Sequence, residues 1–262
     1  MSKSFQFVAA TALLTLVLSG SAQASFGSGP YAFSAAADVD NLDTLVGAMT
    51  GNGSATDIAQ FANSWAQTEM GVHHAVAIGD TSSTRFGALS AWADTFTTNG
   101  AAGVAQVSLT LDGEFAAANY AVAGYQLFKS AAPVMPWELM SYLNGSTGLP
   151  SGVETVLSGF GDSAGSPGPV HQILSGNFSY AAGETFYLTS VFGVAATGNG
   201  AADFANTATF GISMNEGFST GSGAGYMTAA VPEPETWAML LVGLGLIGMQ
   251  ANRRRVAVRN IA

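Results

Sequence analysis

Val104-Ala105-Gln106-Val107-Ser108-Leu109-Thr110-Leu111 is the stretch that decides the fold class. It puts Val107, Leu109 and Leu111 on one side of an extended chain and Gln106, Ser108 and Thr110 on the other. This period of two marks a half-buried strand. Asp112-Gly113 follows as a turn signal, and Asn119 to Phe128 supplies a second apolar run, so a hairpin is expected, its connection lengthened by Glu114 to Ala118. The pattern returns at Phe178-Ser179-Tyr180, Glu184 to Ala195 and Phe204 to Met214, with Ala181-Ala182-Gly183 and Thr197-Gly198-Asn199-Gly200 as breaks. Regularly spaced short strands with such turns predict an all-β chain with a single β-sandwich or jelly-roll-like domain. One segment departs from this: Ile58, Phe61, Ala62 and Trp65 fall at helical spacing after Thr56 and Asp57, two residues suited to capping, and predict one short helix. From Asn144 to Pro169, Gly, Ser and Pro crowd together without apolar periodicity, and the stretch reads as a loop within the domain.

Composition narrows the setting. Charged residues are 9% of the chain against about 25% in an average soluble protein, while 48% hydrophobic and 10% aromatic residues are enough for a core. Between residues 25 and 231 only Arg85 and Lys129 stand against fifteen acids, a formal charge of −13. Such a body repels phosphate backbones, which argues against nucleic acid as a partner. Cysteine is absent, so disulfides, thiolate metal sites and thiol nucleophiles are excluded.

The two ends differ from the body. Residues 1–24 run from Lys3 through an apolar stretch, Phe5 to Leu18, to Ala22-Gln23-Ala24. This is the order of a secretory signal peptide, with signal peptidase cutting between Ala24 and Ser25 after delivery by the Sec translocon. At the other end Val231-Pro232-Glu233-Pro234 cannot continue a helix and predicts an extended, accessible segment. Trp237 to Met249 is an apolar run of thirteen residues, about 20 Å as a helix and short of the roughly 30 Å hydrocarbon core. Arg253, Arg254 and Arg255 would hold its far end on the cytoplasmic side as a stop-transfer cluster.

This ordered tail resembles the PEP-CTERM sorting signal, also called the ice-binding protein C-terminal domain, over residues 230–256. The resemblance implies recognition by a membrane-embedded exosortase through Pro232, Glu233 and Pro234, transient membrane anchoring through a 237–249 helix, removal of the tail, and display on the cell surface or in an extracellular exopolysaccharide matrix. The expected organisation is then signal peptide 1–24, secreted β-rich domain 25–229 and sorting signal 230–256.

No stretch of the body demands catalysis or a cofactor. Gly243-Leu-Gly245-Leu-Ile-Gly248 fits a dinucleotide fingerprint, but too few residues follow for a βαβ unit, and small residues suit a membrane helix. Gly161-Asp-Ser163-Ala-Gly165 and Gly217-Phe-Ser219-Thr-Gly221 fit the nucleophile elbow without the acid and then histidine that the triad needs downstream. His73 and His74 face opposite sides of any strand that holds them, which disfavours a shared metal. Asp38, Asp40, Asn41 and Asp43 cluster oxygen ligands in a way that suits calcium, but Leu42 and the missing glycine depart from an EF-hand. Trp65, Trp92 and Trp137 are candidates for stacking on sugar rings, with core packing as the competing explanation and Pro133-Val-Met-Pro-Trp137 the clearest loop setting. The expected function is a non-enzymatic surface or matrix protein associated with exopolysaccharide. A lectin-like module is the alternative, and an exported glycan-processing enzyme, which would need two acids on one cleft, comes third.

Overall fold

A computed structural model describes residues 30–38, 41–51, 57–79, 85–116, 120–134, 138–139, 142, 148–162 and 167–226, with backbone alone at 41–51, 57–59, 61, 160, 162, 206 and 207. Thirteen strands occur among them: β1 (Tyr31–Asp38), β2 (Asn41–Gly51), β3 (Asp57–Phe61), β4 (Ser64–Glu69), β5 (Val72–Ile78), β6 (Arg85–Thr98), β7 (Gly103–Ala116), β8 (Ala121–Ser130), β9 (Val153–Asp162), β10 (Gly168–Tyr180), β11 (Thr185–Thr197), β12 (Ala201–Ser213) and β13 (Phe218–Thr220). One sheet has the order β2-β1-β6-β11-β8-β9, with β13 also on β6; the other has the order β10-β7-β12-β5-β4-β3, and every pairing is antiparallel. The sheets pack face to face as a sandwich, and all described residues belong to a unit ending at Ala229.

The two sheets read differently in sequence because they are buried differently. In the six-stranded sheet, β7 buries Ala105, Val107, Leu109, Leu111 and Phe115 and turns the residues between them outward; β5 does the same with His73, Ala75 and Ala77. One face is in the core and the other is open. In the seven-stranded sheet, β1 and the middle of β6 are buried on both faces. Ala88, Trp92 and Phe96 point to the inter-sheet core with Phe192, Phe204 and Phe210, whereas Tyr31, Phe33, Leu89, Ala91, Ala93 and Val191 form a second cluster on the outer face. Residues of the β8–β9 connection, Val134, Leu139, Tyr142 and Leu149, lie on that second cluster, and Tyr31 Oη donates to the Val134 carbonyl at 2.9 Å. Each large apolar side chain buried this way contributes about 1.5–3 kcal/mol.

Several sequence expectations need correction. The short helix over 58–65 is a two-residue hairpin joining β3 to β4: Phe61 and Ser64 are paired, and Ala62 takes the turn at φ 45°. The helical spacing arose because apolar residues on the two sides of a tight turn also recur at intervals of three and four. The expected hairpin between 104–111 and 119–128 does not form either. Its strands lie in opposite sheets, β7 between β10 and β12, β8 between β11 and β9. Alternation identifies a strand but not its partner. Asp112-Gly113 is strand rather than turn; a Cβ at Gly113 would stand 2.5 Å from the Asp203 carbonyl oxygen and from Phe204 Cδ1, so glycine there admits the bulged neighbour β12. The segment 144–169 is not simply a loop, since it contains β9, the start of β10 and part of the cover over the outer apolar cluster.

Signal residues Ala22, Ala24 and Ser25, tail residues Pro232, Glu233, Pro234, Arg253, Arg254 and Arg255, and the apolar run 237–249 lie outside the described residues. Among the described residues no helix is long and apolar enough to cross a membrane.

Candidate functional site

Two polar constellations stand out, one sealed and one open. The sealed one starts at His73, which β5 points into the core at 0% exposure. Its Nε2 lies 2.6 Å from Ser190 Oγ and its Nδ1 2.7 Å from Ser90 Oγ. Ser190 Oγ donates to Tyr125 Oη at 3.0 Å and Ser90 Oγ donates to the Gln67 carbonyl at 3.2 Å, so both hydroxyls that flank the ring are themselves anchored. Ser90 Oγ lies 2.6 Å from Thr68 Oγ1, which lies 2.8 Å from Ser34 Oγ. The chain Ser34, Thr68, Ser90, His73, Ser190, Tyr125 thus crosses the interior and ties β1, β6, β11 and β8 to β4 and β5. Burial, helped by the nearby His74, lowers the His73 pKa to about 3, and burial raises that of Tyr125. Neutral and sealed, the chain serves as a seam between sheets.

A second buried group closes one end of the sandwich. The Asp94 carboxylate, on β6, accepts from Thr95 N–H at 2.7 Å, Ser222 N–H at 3.0 Å, the Ser222 hydroxyl, and Tyr226 Oη at 2.8 Å. Tyr226 packs on Trp92, Phe96 and Phe210, and burial and the neighbouring carboxylate raise its pKa. Gly71, at φ 80°, makes room for it, because a Cβ there would stand 2.8 Å from the Tyr226 ring.

The open constellation is the outer face of the six-stranded sheet. Trp65 on β4 is half-buried there, its indole tilted against the His74 ring with centroids 6.1 Å apart. His74 Nδ1–H donates to the Ala205 carbonyl at 2.7 Å, and beside it Gln67 Nε2 donates to Glu69 at 2.9 Å. Across the same face Gln106, Ser108, Thr110 and Asp112 of β7 stand in register with Asn177, Ser175, Ile173 and His171 of β10 on one side and with Ser213, Gly211, Thr209 and Thr207 of β12 on the other. His171 Nδ1 meets Asp112 Oδ1 at 2.5 Å. The result is a broad array of hydroxyl and amide groups with an aromatic pair to one side, about four strand spacings or 20 Å from β10.

The other candidates sort as follows. Trp92 is fully buried and unavailable to a sugar, which leaves Trp65; Trp137 lies outside the described residues. Asp38 and Asn41 are paired across the β1–β2 connection, Asp40 lies outside the described residues, and Asp43 is described in backbone only. Among the described residues no group of three or more His, Asp or Glu is placed to hold a metal ion. Ser219 sits on β13, an extended strand against β6, and so is not in a strand-turn-helix elbow; Ser163 and the Gly243–Gly248 motif lie outside the described residues. A cleft between the sheets, lined by Leu111, Phe115, Tyr125, Gly159 and Phe204, has about 20 Å³ of free volume, room for one water and not for a sugar ring. Sequence reasoning placed His73 and His74 on opposite faces correctly but missed the Asp94 clasp. Its signal was present: a lone acid directly after Ala91-Trp92-Ala93 implies a carboxylate that needs buried donors.

No curated protein and no solved structure matches the chain. Residues 230–255 match the family model of the PEP-CTERM protein-sorting motif. That match begins four residues after Tyr226, the last clasped residue of the body: the chain carries a PEP-CTERM sorting motif, which indicates an exported, membrane-anchored precursor and implies exosortase as its processing partner.

Proposed function

We propose that exosortase removes the tail near Pro232-Glu233-Pro234 and that the released body works on the cell surface or in the extracellular matrix as a non-enzymatic module associated with exopolysaccharide. The sorting motif at 230–255 carries the first half of this reading. The open face carries the second: Trp65 and His74 supply a ring platform, and the hydroxyl and amide ladders of β7, β10 and β12 supply donors and acceptors for sugar hydroxyls. The buried histidine is committed to holding the sheets together, whereas the polar groups of the open face lie within reach of a ligand.

Intact mass of the mature protein from its own cells tests the processing. A chain from Ser25 to near Pro234 is expected, and recovery of Arg253 to Ala262 on the mature protein would overturn it. Co-sedimentation with the cells' own exopolysaccharide tests the binding. Trp65→Ala should reduce retention by about tenfold, the scale of losing one stacked ring; retention equal to wild type would count against this face. Sugar release abolished by a single Asp or Glu substitution would instead favour the glycan-processing alternative.

A further inference from the structure

We infer that β10 is a self-pairing edge, which joins the body to a second copy of itself about Ile173. The sandwich has four edge strands, β2 and β9 on one sheet and β3 and β10 on the other. Three of them are blunted. β3 has only five residues, β2 shifts register against β1 between Ala36 and Asp38, and β9 meets β8 through a shift at Leu127/Phe128 and carries Glu154 and Asp162. Short length, bulges and charge are the devices that keep sheet edges from pairing. β10 has none of them. It runs thirteen residues in unbroken register with β7, from Gly168 opposite Phe115 to Tyr180 opposite Gly103. Its one proline, Pro169, is the second residue of the strand, and it contains no Asp, Glu, Lys or Arg. Ile173, 62% exposed, is the most exposed large apolar side chain among the described residues.

Charge selects the occupant. The rest of the body repels its own kind, yet this strand is a strip without formal charge apart from the titratable His171. The nearest acid on the same face, Asp112, lies one strand further in and is hydrogen-bonded to His171. In an antiparallel pair of β10 strands with this dyad the two Asp112 residues would be three strand spacings and four residues apart, about 20 Å, beyond the roughly 8 Å screening length at physiological salt. Of the neighbouring edge acids, Glu154 is turned toward Lys129 at 3.9 Å. A dyad at Ile173 sets Ile173 against Ile173 of the second copy and His171 against its Ser175, a self-complementary arrangement of the kind closed two-fold dimers use. It also extends the open face of the six-stranded sheet into one twice as wide. The pairing does not depend on what that face binds.

Sedimentation of the full chain and its variants in one detergent tests the idea, with spin labels placed through Ile173→Cys, which is the only thiol in an otherwise cysteine-free chain. The wild type should be a dimer, and the labelled Ile173→Cys form should hold its two labels within about 15 Å of each other. Ile173→Lys should weaken dimerisation by about tenfold or more, because it opposes two like charges at the dyad. Val104→Lys, on the same face but on interior strand β7, should leave it unchanged. A monomer at every concentration, equal loss from Val104→Lys, or a dimer with distant labels would each overturn the proposal.

Discussion

The two outer faces of the sandwich are built from different residue classes and meet different surroundings. The outer face of the seven-stranded sheet is covered: Val134, Leu139, Tyr142 and Leu149 from the β8–β9 connection lie over Tyr31, Phe33, Leu89 and Ala91. The outer face of the six-stranded sheet is open and carries Ser, Thr, Gln and Asn in cross-strand ladders. The difference shows where selection for stability ends and where surface chemistry is available. An apolar-to-charged change should be ruinous on one face and tolerated on the other. Ala91→Glu places a carboxylate at a fully buried position under the cover, and is expected to cost more than about 4 kcal/mol, enough to prevent folding. Val104→Glu, at a position 49% exposed on the open face, should stay within about 0.5 kcal/mol in urea unfolding. Similar midpoints for the two variants would break the comparison.

That contrast also explains which strands were legible. β7 and β12 could be read because one face is wet, so polarity alternates along them. β1, Tyr-Ala-Phe-Ser-Ala-Ala-Ala, and the centre of β6 have no alternation to read, because both faces are dry. The cover segment was hidden for a related reason: Glu138, Leu139 and Tyr142 are helical, but Leu139 and Tyr142 alone, three residues apart, are too few to show a period. In the candidate site, the opposite orientation of His73 and His74 followed from adjacency alone. The partners of His73 did not, because Ser90 and Ser190 come from strands distant in sequence and meet only when the sheets close.

The sealed histidine sharpens the comparison through pH. An unfolded histidine titrates near 6.5 and His73 in the native protein near 3, chiefly because burial disfavours the charged ring. Between those values the unfolded chain holds a proton that the native protein lacks. His73 therefore leaves stability intact above about pH 6.5 and removes it as pH falls toward 3, at roughly 1 kcal/mol per pH unit. His73→Gln should lower stability at neutral pH but flatten this acid slope, measured by urea midpoints between pH 7 and 4. A slope equal to wild type in that variant would move the acid sensitivity elsewhere.

A cavity under the cover comes next in size. Leu139 has no exposure and packs over the outer apolar cluster, so Leu139→Ala should cost about 2–3 kcal/mol if the β8–β9 connection is part of the folded unit. A loss under 0.5 kcal/mol would mean that the cover contributes little and that the two outer faces differ less than their burial indicates.

The smallest effect concerns the junction between body and sorting tail. Tyr226 donates to Asp94 and fills the end of the core beside Trp92 and Phe96, six residues before Pro232. Tyr226→Phe keeps the ring and removes only the donor to a carboxylate that also accepts from Ser222 and Thr95, so a loss of about 1–2 kcal/mol is expected. A chain ended at Val231 retains the whole clasp and should unfold at the same urea concentration as the tail-bearing form. If instead ending the chain there costs as much as Tyr226→Phe, the tail contributes to the body's stability. Removing it would then weaken the body, and sorting and folding would be one event instead of two.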